Sequence, residues 1–297
     1  MNARTLSHSV SLLVLVIVMA GPVVCSSRAA GQMSLTGTIA FDSFRVGPEQ
    51  IYTMPATGKH VKRISKNTNY EYFATWSPDG QTIAFVSGAF PPCTLWLMDR
   101  RGANRTALVT MPGSVFYPSW SPDGERIAFG SDDGLYLIDL TSQTPVLLHS
   151  RGGVTIPSWS PDGLQIAFSY QTYFSAPDDI YRIDIDGSNL VNLTNTPSIG
   201  ESCPTWQGNT IAYIQGPYDW YGDVYVMDPD GFNRNQISFT GGQAFGRPAW
   251  SPNGDGLAFS ARASTGYYGI FAVELVGGAT IQISRVPSDD FSPSWTP

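Results

Sequence analysis

Paired carboxylates are the residues of this 297-residue chain whose types and spacing most directly suggest chemistry. Three pairs fall in or beside predicted loops: Asp132–Asp133, Asp178–Asp179 and Asp289–Asp290. Two carboxylates that face each other across a sugar can hydrolyse a glycosidic bond. The sequence does not place any two pairs opposite each other, and acidic loop residues are usually solvated. It therefore predicts no catalytic residue, and carbohydrate cleavage is kept only as an alternative.

Metal chemistry is also disfavoured. Residues 184–187 and 228–231 both begin like a calcium-binding loop, with Asp-x-Asp-Gly, but neither has the downstream glutamate of an EF-hand. Aspartate and glycine in this arrangement favour tight turns. The histidines His60 and His149 lie in predicted outer parts of the fold, where surface positions are expected. No metal site and no cofactor is predicted.

A repeated phrase indicates which elements must position any site. "PSWSPDGERIAF", residues 118–129, recurs in five near-complete copies, and a sixth is divided between residues 37–41 and 291–297. Its tryptophans are spaced 39 to 47 residues apart: Trp76, Trp120, Trp159, Trp206, Trp250 and Trp295. A period of about 40–45 residues is typical of a four-stranded propeller blade. The sequence predicts an all-β, six-bladed propeller of four-stranded antiparallel blades over residues 30–297.

The divided copy predicts how the ring closes. The C-terminal strand is expected to pair with the first blade, which removes the free edge that an open ring of sheets would have. The Ser-Pro-Asp-Gly segments are interpreted as turns, because proline presets φ, aspartate bonds to nearby backbone and glycine accepts positive φ. The repeated phrase is therefore interpreted as structural.

The N-terminus predicts export. Residues 1–29 combine Arg4, an apolar stretch too short to span a membrane and small residues, which is typical of a cleaved secretory signal. Its removal would take away Arg4 and Arg28 and change the net charge from −7 to −9. So acidic a protein is expected to bind nucleic acid poorly. Lipidation of Cys25 is the alternative to a soluble product.

Two further cysteines, Cys93 and Cys203, fall in predicted blades on opposite sides of the domain. The two atoms of a disulfide require neighbouring backbones, so no disulfide is predicted between them. The mature protein is expected to contain no transmembrane span.

The repeat W-S-P-D-G-x-x-I-A-F, followed by segments such as "VYVMDPDG" at residues 224–231, resembles that of TolB-type propellers, which are WD-repeat-like modules of exported bacterial proteins. The resemblance covers about residues 37–297. It implies a periplasmic or secreted propeller that binds a protein or peptide partner in the cell envelope. A stand-alone propeller without the N-terminal domain of TolB is expected, because few residues separate the predicted signal from the first blade. Related peptidases need a G-x-S-x-G nucleophile motif, which this sequence lacks, so a non-enzymatic role is favoured.

One face of the predicted propeller is rich in aromatic residues. The segments before each tryptophan and the loops between the second and third strands are expected to open on this face, opposite the Ser-Pro-Asp-Gly turns. Tyrosine, tryptophan and arginine are typical of binding hot spots. The candidate binding residues are Tyr72, Phe116, Tyr117, Glu201, Trp220, Tyr221, Phe245, Arg247 and Phe291. Peptide binding should depend on Arg247 and Glu201, whereas binding of a glycan should depend on Trp220 and the neighbouring Tyr218 and Tyr221.

Overall fold

The computed structural model describes residues 35–150, 155–170, 177–218, 221–276, 280–284 and 288–296, with only the backbone at Tyr170 and Tyr218. The predicted signal, Cys25 and Trp220 lie outside these residues. The protein divides into two compact units, and the second, Met33–Pro297, contains every strand described below. Over the described ranges, no helix has the length and apolar character that a membrane crossing needs.

Four antiparallel sheets have four strands each. The first sheet contains β1 (Thr38–Ser43), β2 (Gln50–Pro55), β3 (Lys62–Arg63) and the C-terminal β24 (Asp290–Thr296). The second contains β4 (Glu71–Trp76), β5 (Thr82–Ser87), β6 (Cys93–Asp99) and β7 (Thr106–Met111). The third contains β8 (Val115–Trp120), β9 (Arg126–Ser131), β10 (Gly134–Asp139) and β11 (Pro145–Ser150). The fourth contains β12 (Thr155–Trp159), β13 (Gln165–Tyr170), β14 (Asp179–Asp184) and β15 (Val191–Asn192).

The remaining eight strands form one sheet. They are β16 (Gly200–Gln207), β17 (Thr210–Tyr218), β18 (Tyr221–Met227), β19 (Asn235–Gln236), β20 (Ala244–Trp250), β21 (Gly256–Arg262), β22 (Tyr268–Glu274) and β23 (Thr280–Gln282). The predicted four-stranded sheets are thus confirmed, but the last two repeats are not separate sheets. The start of β18 reaches the start of β20, where Tyr221 pairs with Phe245 and Gly222 pairs with Ala244.

The C-terminal strand belongs to the first sheet. β24 pairs antiparallel with β1, and Trp295 lies opposite Ile39. The tryptophan-bearing strands β4, β8, β12, β16, β20 and β24 contact one another in that order, and β24 also contacts β4. Six strands therefore surround a common axis, and each contributes one tryptophan of the repeat.

Apolar side chains of the repeat form the core between neighbouring sheets. The Ile-Ala-Phe segments are fully buried, as at Phe41, Phe85 and Phe129. The tryptophans link adjacent sheets through their indole N–H groups: Trp120 donates to the carbonyl of Thr75 at 3.2 Å, and Trp159 donates to that of Ser119 at 3.0 Å. Burial of a large aromatic side chain stabilises a fold by about 2–3 kcal/mol, so the repeat accounts for much of the packing.

The Ser-Pro-Asp-Gly segments form the predicted turns. In residues 121–124, the Ser121 hydroxyl donates to Asp123, and the amide of Glu125 donates to the same carboxylate at 3.0 Å. Gly124 has φ +73°, a conformation that strains other residues. These bonds hold the pKa of Asp123 below its ordinary value. The turn connects β8 to β9 through bonds of its own residues.

Candidate functional site

Aromatic residues gather at the end of the ring opposite the Ser-Pro-Asp-Gly turns. Five rings, here called the aromatic cluster, form a connected group in which each ring centroid lies within 6.5 Å of at least one other: Phe44, Tyr221, Phe245, Tyr268 and Phe291. The ring centroids of Tyr221 and Phe245 are 4.9 Å apart, and those of Tyr268 and Phe291 are 5.2 Å apart. They come from the starts of strands β18, β20, β22 and β24 and from the loop after β1, so adjacent repeats supply them together.

The aromatic cluster is partly open to solvent. Phe44 is 45% exposed and Tyr221 is 39% exposed, whereas Phe245, Tyr268 and Phe291 are half-buried. An exposed group of large apolar side chains on a rigid scaffold is a typical contact surface for another protein. Three of the sequence-predicted residues, Tyr221, Phe245 and Phe291, are thus brought together.

The other predicted aromatic residues lie apart from this cluster. The Tyr72 hydroxyl donates to the carbonyl of Gly88 at 2.7 Å, and burial raises its pKa. Tyr72 also borders a separate cavity of about 350 Å³ with Glu49 and Phe90. Phe116 is half-buried and packs against the core. These two residues contribute to the same end of the propeller but not to the continuous cluster.

A group of side chains lies across the central channel. Tyr117 is buried and stacks on Phe73, with ring centroids 3.9 Å apart. Phe73, Tyr117 and Cys203 all have positive φ, and each lies at a register shift in its strand. Such bulges redirect a side chain away from the regular alternation of a strand, which is why these residues point toward the axis. Tyr117 is therefore part of the molecule's interior and not of its surface.

Arg247 extends across the channel to the opposite side of the ring. It belongs to β20, and its Nη1 donates to the carbonyls of Pro118 in β8 and Pro157 in β12, both at 3.3 Å. Burial lowers its pKa from the ordinary value. The sequence analysis predicted that Arg247 lies on the aromatic face. Its side chain instead lines the other half of the channel, because it directly follows a bulge at Gly246.

That half of the channel is a cavity of about 470 Å³, here called the tryptophan-lined cavity. All six repeat tryptophans border it, together with Pro78, Pro122 and Pro161 of the Ser-Pro-Asp-Gly turns and Pro252 of the related Ser-Pro-Asn-Gly turn. Hydroxyl-bearing residues precede five of the tryptophans: Thr75, Ser119, Ser158, Thr205 and Ser294. Of the described residues that line it, Arg247 is the one that carries a full charge.

Several buried carboxylates lie near the starts of the inner strands. Asp290 forms an ion pair with Arg45 at 2.7 Å, and Glu71 forms one with Arg105. Glu201 is fully buried and accepts a hydrogen bond from the Thr196 hydroxyl at 2.5 Å. Burial raises the pKa of Glu201 to about 7. These groups support the strand ends from inside, so Glu201 is not a surface contact residue.

The structure also bears on the metal-like motifs. Residues 184–187 form a turn in which the amide of Gly187 donates to the carbonyl of Asp184 at 2.9 Å, and residues 228–231 repeat it with Gly231 and Asp228. The interpretation of these segments as turns is confirmed. Within the described ranges, no group of three metal-ligating residues comes together.

The histidines and cysteines of the described residues differ in their exposure to solvent. His60 is exposed, whereas His149 is half-buried with its ring 5.8 Å from that of Phe168, so the predicted surface position of His149 is only partly correct. Cys93 and Cys203 are both free and buried.

The tryptophan-lined cavity is the feature that sequence reasoning missed. The repeated phrase was interpreted as structural, and its tryptophans are indeed mostly buried between sheets. The cavity could have been predicted from the tryptophans at the ends of all six inner strands. Residues at equivalent positions around a ring must surround its axis. The placement of Arg247 depends on a bulge, for which the sequence offers only Gly246.

The fold and this arrangement define a β-propeller with an aromatic surface at one end of its channel and a cavity at the other. The TolB beta propeller domain family matches residues 91–297, and the protein belongs to this family. No curated protein shows detectable sequence similarity to it.

Solved structures share the fold. TolB from Acinetobacter baumannii is 21% identical with a TM-score of 0.76, and the match covers 88% of this protein and 67% of that one. A putative TolB from Agrobacterium tumefaciens is 17% identical with a TM-score of 0.64, over 89% and 99% of the two proteins. An oligogalacturonate lyase in complex with manganese is 15% identical with a TM-score of 0.54, over 83% and 73%. At these identities the likeness concerns the fold alone.

Proposed function

We propose that this protein is an exported, non-enzymatic binding module whose aromatic cluster binds a segment of a protein partner in the cell envelope. The observation that carries the proposal is the cluster itself, five contacting rings of which two are more than a third exposed. In the same proposal the propeller has six blades, with the eight-stranded sheet counted as two. Residues 1–29 act as the secretory signal, and residues 30–297 form the binding domain in the periplasm or outside the cell.

The surroundings of the aromatic cluster favour a cationic segment. Acidic side chains at the same end of the strands, among them Asp132, Asp133 and Asp289, outnumber the exposed cation Arg262, which lies opposite Tyr268. The nearby Arg45 is already paired with Asp290, so its charge is compensated. A partner segment that carries lysine or arginine beside an apolar side chain would complement this surface in both charge and hydrophobicity.

Tyrosine and phenylalanine suit such a role because they bury a large area at a small cost in conformational entropy. The rings come from four strands and one loop of the same scaffold, so the surface is already formed before a partner arrives. Preorganisation of this kind lowers the entropic cost of binding.

A selection from a phage-displayed library of random peptides tests the proposal. Purified protein should enrich peptides that combine basic and apolar residues. Affinity should fall at least about tenfold in the Phe44→Ala/Tyr221→Ala double variant, because each side chain is exposed enough to be removed without opening the core.

Phe232→Ala provides the matched control. Phe232 is 69% exposed in a turn at the opposite end of the strands, so its loss removes an exposed ring but not the aromatic cluster. Affinity in this variant should be unchanged. Equal loss of affinity in both variants would contradict the proposal. A protein that enriches no peptide but binds an oligosaccharide panel through Tyr221 would contradict it and favour the carbohydrate alternative.

A further inference from the structure

Arg247 is a partly buried cation that has no carboxylate partner among the described residues. No ion pair among the described residues includes Arg247, and its two hydrogen bonds to them are both donated by Nη1. A guanidinium carries five N–H groups, so Nε and Nη2 keep three that make no hydrogen bond to the described residues. Because Arg247 lines the tryptophan-lined cavity and is not fully buried, these groups are accessible from it.

Asp42 is an acidic residue whose charge acts on Arg247, but the two side chains form no ion pair. Asp42 is fully buried and accepts hydrogen bonds from the amides of Phe73 and Ala74. Burial raises the pKa of Asp42 well above its ordinary value, which favours its uncharged form. A partly desolvated cation without an ion-pair partner is costly, and an anion bound beside it would offset that cost.

We propose that the tryptophan-lined cavity binds a single carboxylate group on a narrow, otherwise uncharged ligand, with Arg247 as its ionic partner. A carboxylate accepts two parallel N–H bonds from a guanidinium, which matches the donors that Arg247 leaves unused. The cavity volume of about 470 Å³ lies within the range of small-molecule sites. This site is separate from the aromatic cluster, so it does not rest on the function proposed above.

Serine hydroxyls add further donors. The Ser158 hydroxyl oxygen accepts a hydrogen bond from the amide of Trp206 at 2.9 Å, and that of Ser294 accepts one from the amide of Trp76 at 3.1 Å. Among the described residues neither hydroxyl hydrogen has an acceptor, so each is free to donate toward the cavity. The walls otherwise present tryptophan edges and proline rings, which would contact an apolar or peptide-like stem.

The opening selects against highly charged ligands. Asp79, Asp123 and Asp162 belong to the turns around it and do not line the cavity. Each of their carboxylates accepts hydrogen bonds within its own turn, for example from Ser77 or Ser160. These aspartates repel any anion, and they repel a doubly charged one about twice as strongly, whereas the single guanidinium of Arg247 matches one negative charge. This is why a monocarboxylate is expected and not a phosphate.

Two sources supply such a carboxylate: the C-terminus of a peptide or a short free carboxylic acid. The probes are acetyl-trialanine with a free C-terminal carboxylate, the same peptide as its amide, and propionate. Because six of the eight tryptophans border the cavity, intrinsic fluorescence reports occupancy directly. The free-acid peptide should change the emission with a half-saturation below about 1 mM, and the amide should bind at least about tenfold more weakly.

Variants test the role of Arg247. Arg247→Gln should weaken binding of the free acid at least about tenfold, whereas Arg262→Gln, which removes an exposed arginine outside the cavity, should leave it unchanged. Should Arg247→Gln fail to fold, the comparison of acid and amide on the unaltered protein still decides the matter. Binding of propionate as tight as that of the peptide acid supports a free acid as ligand, and tighter binding of the peptide supports a peptide C-terminus. Equal binding of acid and amide, or no binding of either carboxylate at about 10 mM, would overturn the proposal.

Discussion

At the scale of single residues, burial of ionisable groups is the property with the clearest consequence. Glu201 is fully buried, and burial raises its pKa from 4.5 to about 7. Between these values the folded protein holds a proton that the unfolded protein has released. The contribution of Glu201 to stability is therefore present at low pH and is lost as the pH rises through about 7.

Replacement of Glu201 by glutamine should reduce this pH dependence. In the unaltered protein the free energy of unfolding should fall between about pH 5 and pH 8, and Glu201→Gln should remove about 1–3 kcal/mol of that fall. Urea unfolding at several pH values measures it. Glu125→Gln, at an exposed turn residue, is the control and should leave the slope unchanged. A slope that Glu201→Gln does not alter would show that the buried carboxylate is ionised in both states.

At the scale of elements, two glycines in turns separate backbone strain from steric contact. Gly124 has φ +73°, and a Cβ there would meet only Pro78 Cδ at 3.8 Å. Gly102 has φ +85°, and a Cβ there would lie 2.1 Å from the carbonyl oxygen of Ile64 in the neighbouring sheet. Gly124→Ala should cost about 1 kcal/mol, whereas Gly102→Ala should cost at least about 2–3 kcal/mol, because it also displaces backbone. Chemical denaturation of both variants compares them, and equal costs would contradict the packing of that turn against Ile64.

The elements also show what the sequence can and cannot predict. Tryptophan spacing and the Ser-Pro-Asp-Gly turns were sufficient to predict four-stranded sheets, because both are local patterns repeated many times. The bulges at Phe73, Tyr117 and Cys203 were not predictable, since residues without special backbone freedom adopt positive φ there. Those bulges determine which side chains enter the channel, and the one at Gly246 is why Arg247 was assigned to the wrong half.

At the scale of the whole molecule, the C-terminal strand connects the two ends of the domain. Trp295 packs with Ile39 and Phe41, and its indole N–H donates to the carbonyl of Thr36 at 2.7 Å. Deletion of residues 291–297 should therefore expose the edge of β1 and leave a protein that aggregates or does not unfold cooperatively. Thermal unfolding monitored together with light scattering tests this. A truncated protein that is soluble and melts in one sharp transition would contradict the role of β24.

Membership of the TolB propeller family does not identify a binding partner. The proposed role as a binding module requires that one end of the propeller binds a partner and the other does not. The aromatic cluster and Phe232 lie at opposite ends of the strands, and both present exposed rings. In a structural scaffold with no partner, neither group of exposed rings would contact another protein specifically. In a binding module, the aromatic cluster should contact the partner and Phe232 should not.

Site-specific photo-crosslinking in the cells that produce the protein tests this claim most directly. A photoreactive amino acid would replace Tyr221 in one strain and Phe232 in another, and crosslinked products would be separated by mass. We predict a discrete crosslinked protein from position 221, recovered with the cell envelope, and none from position 232. No product at either position, or the same products at both, would contradict the proposal that the aromatic cluster binds a protein partner.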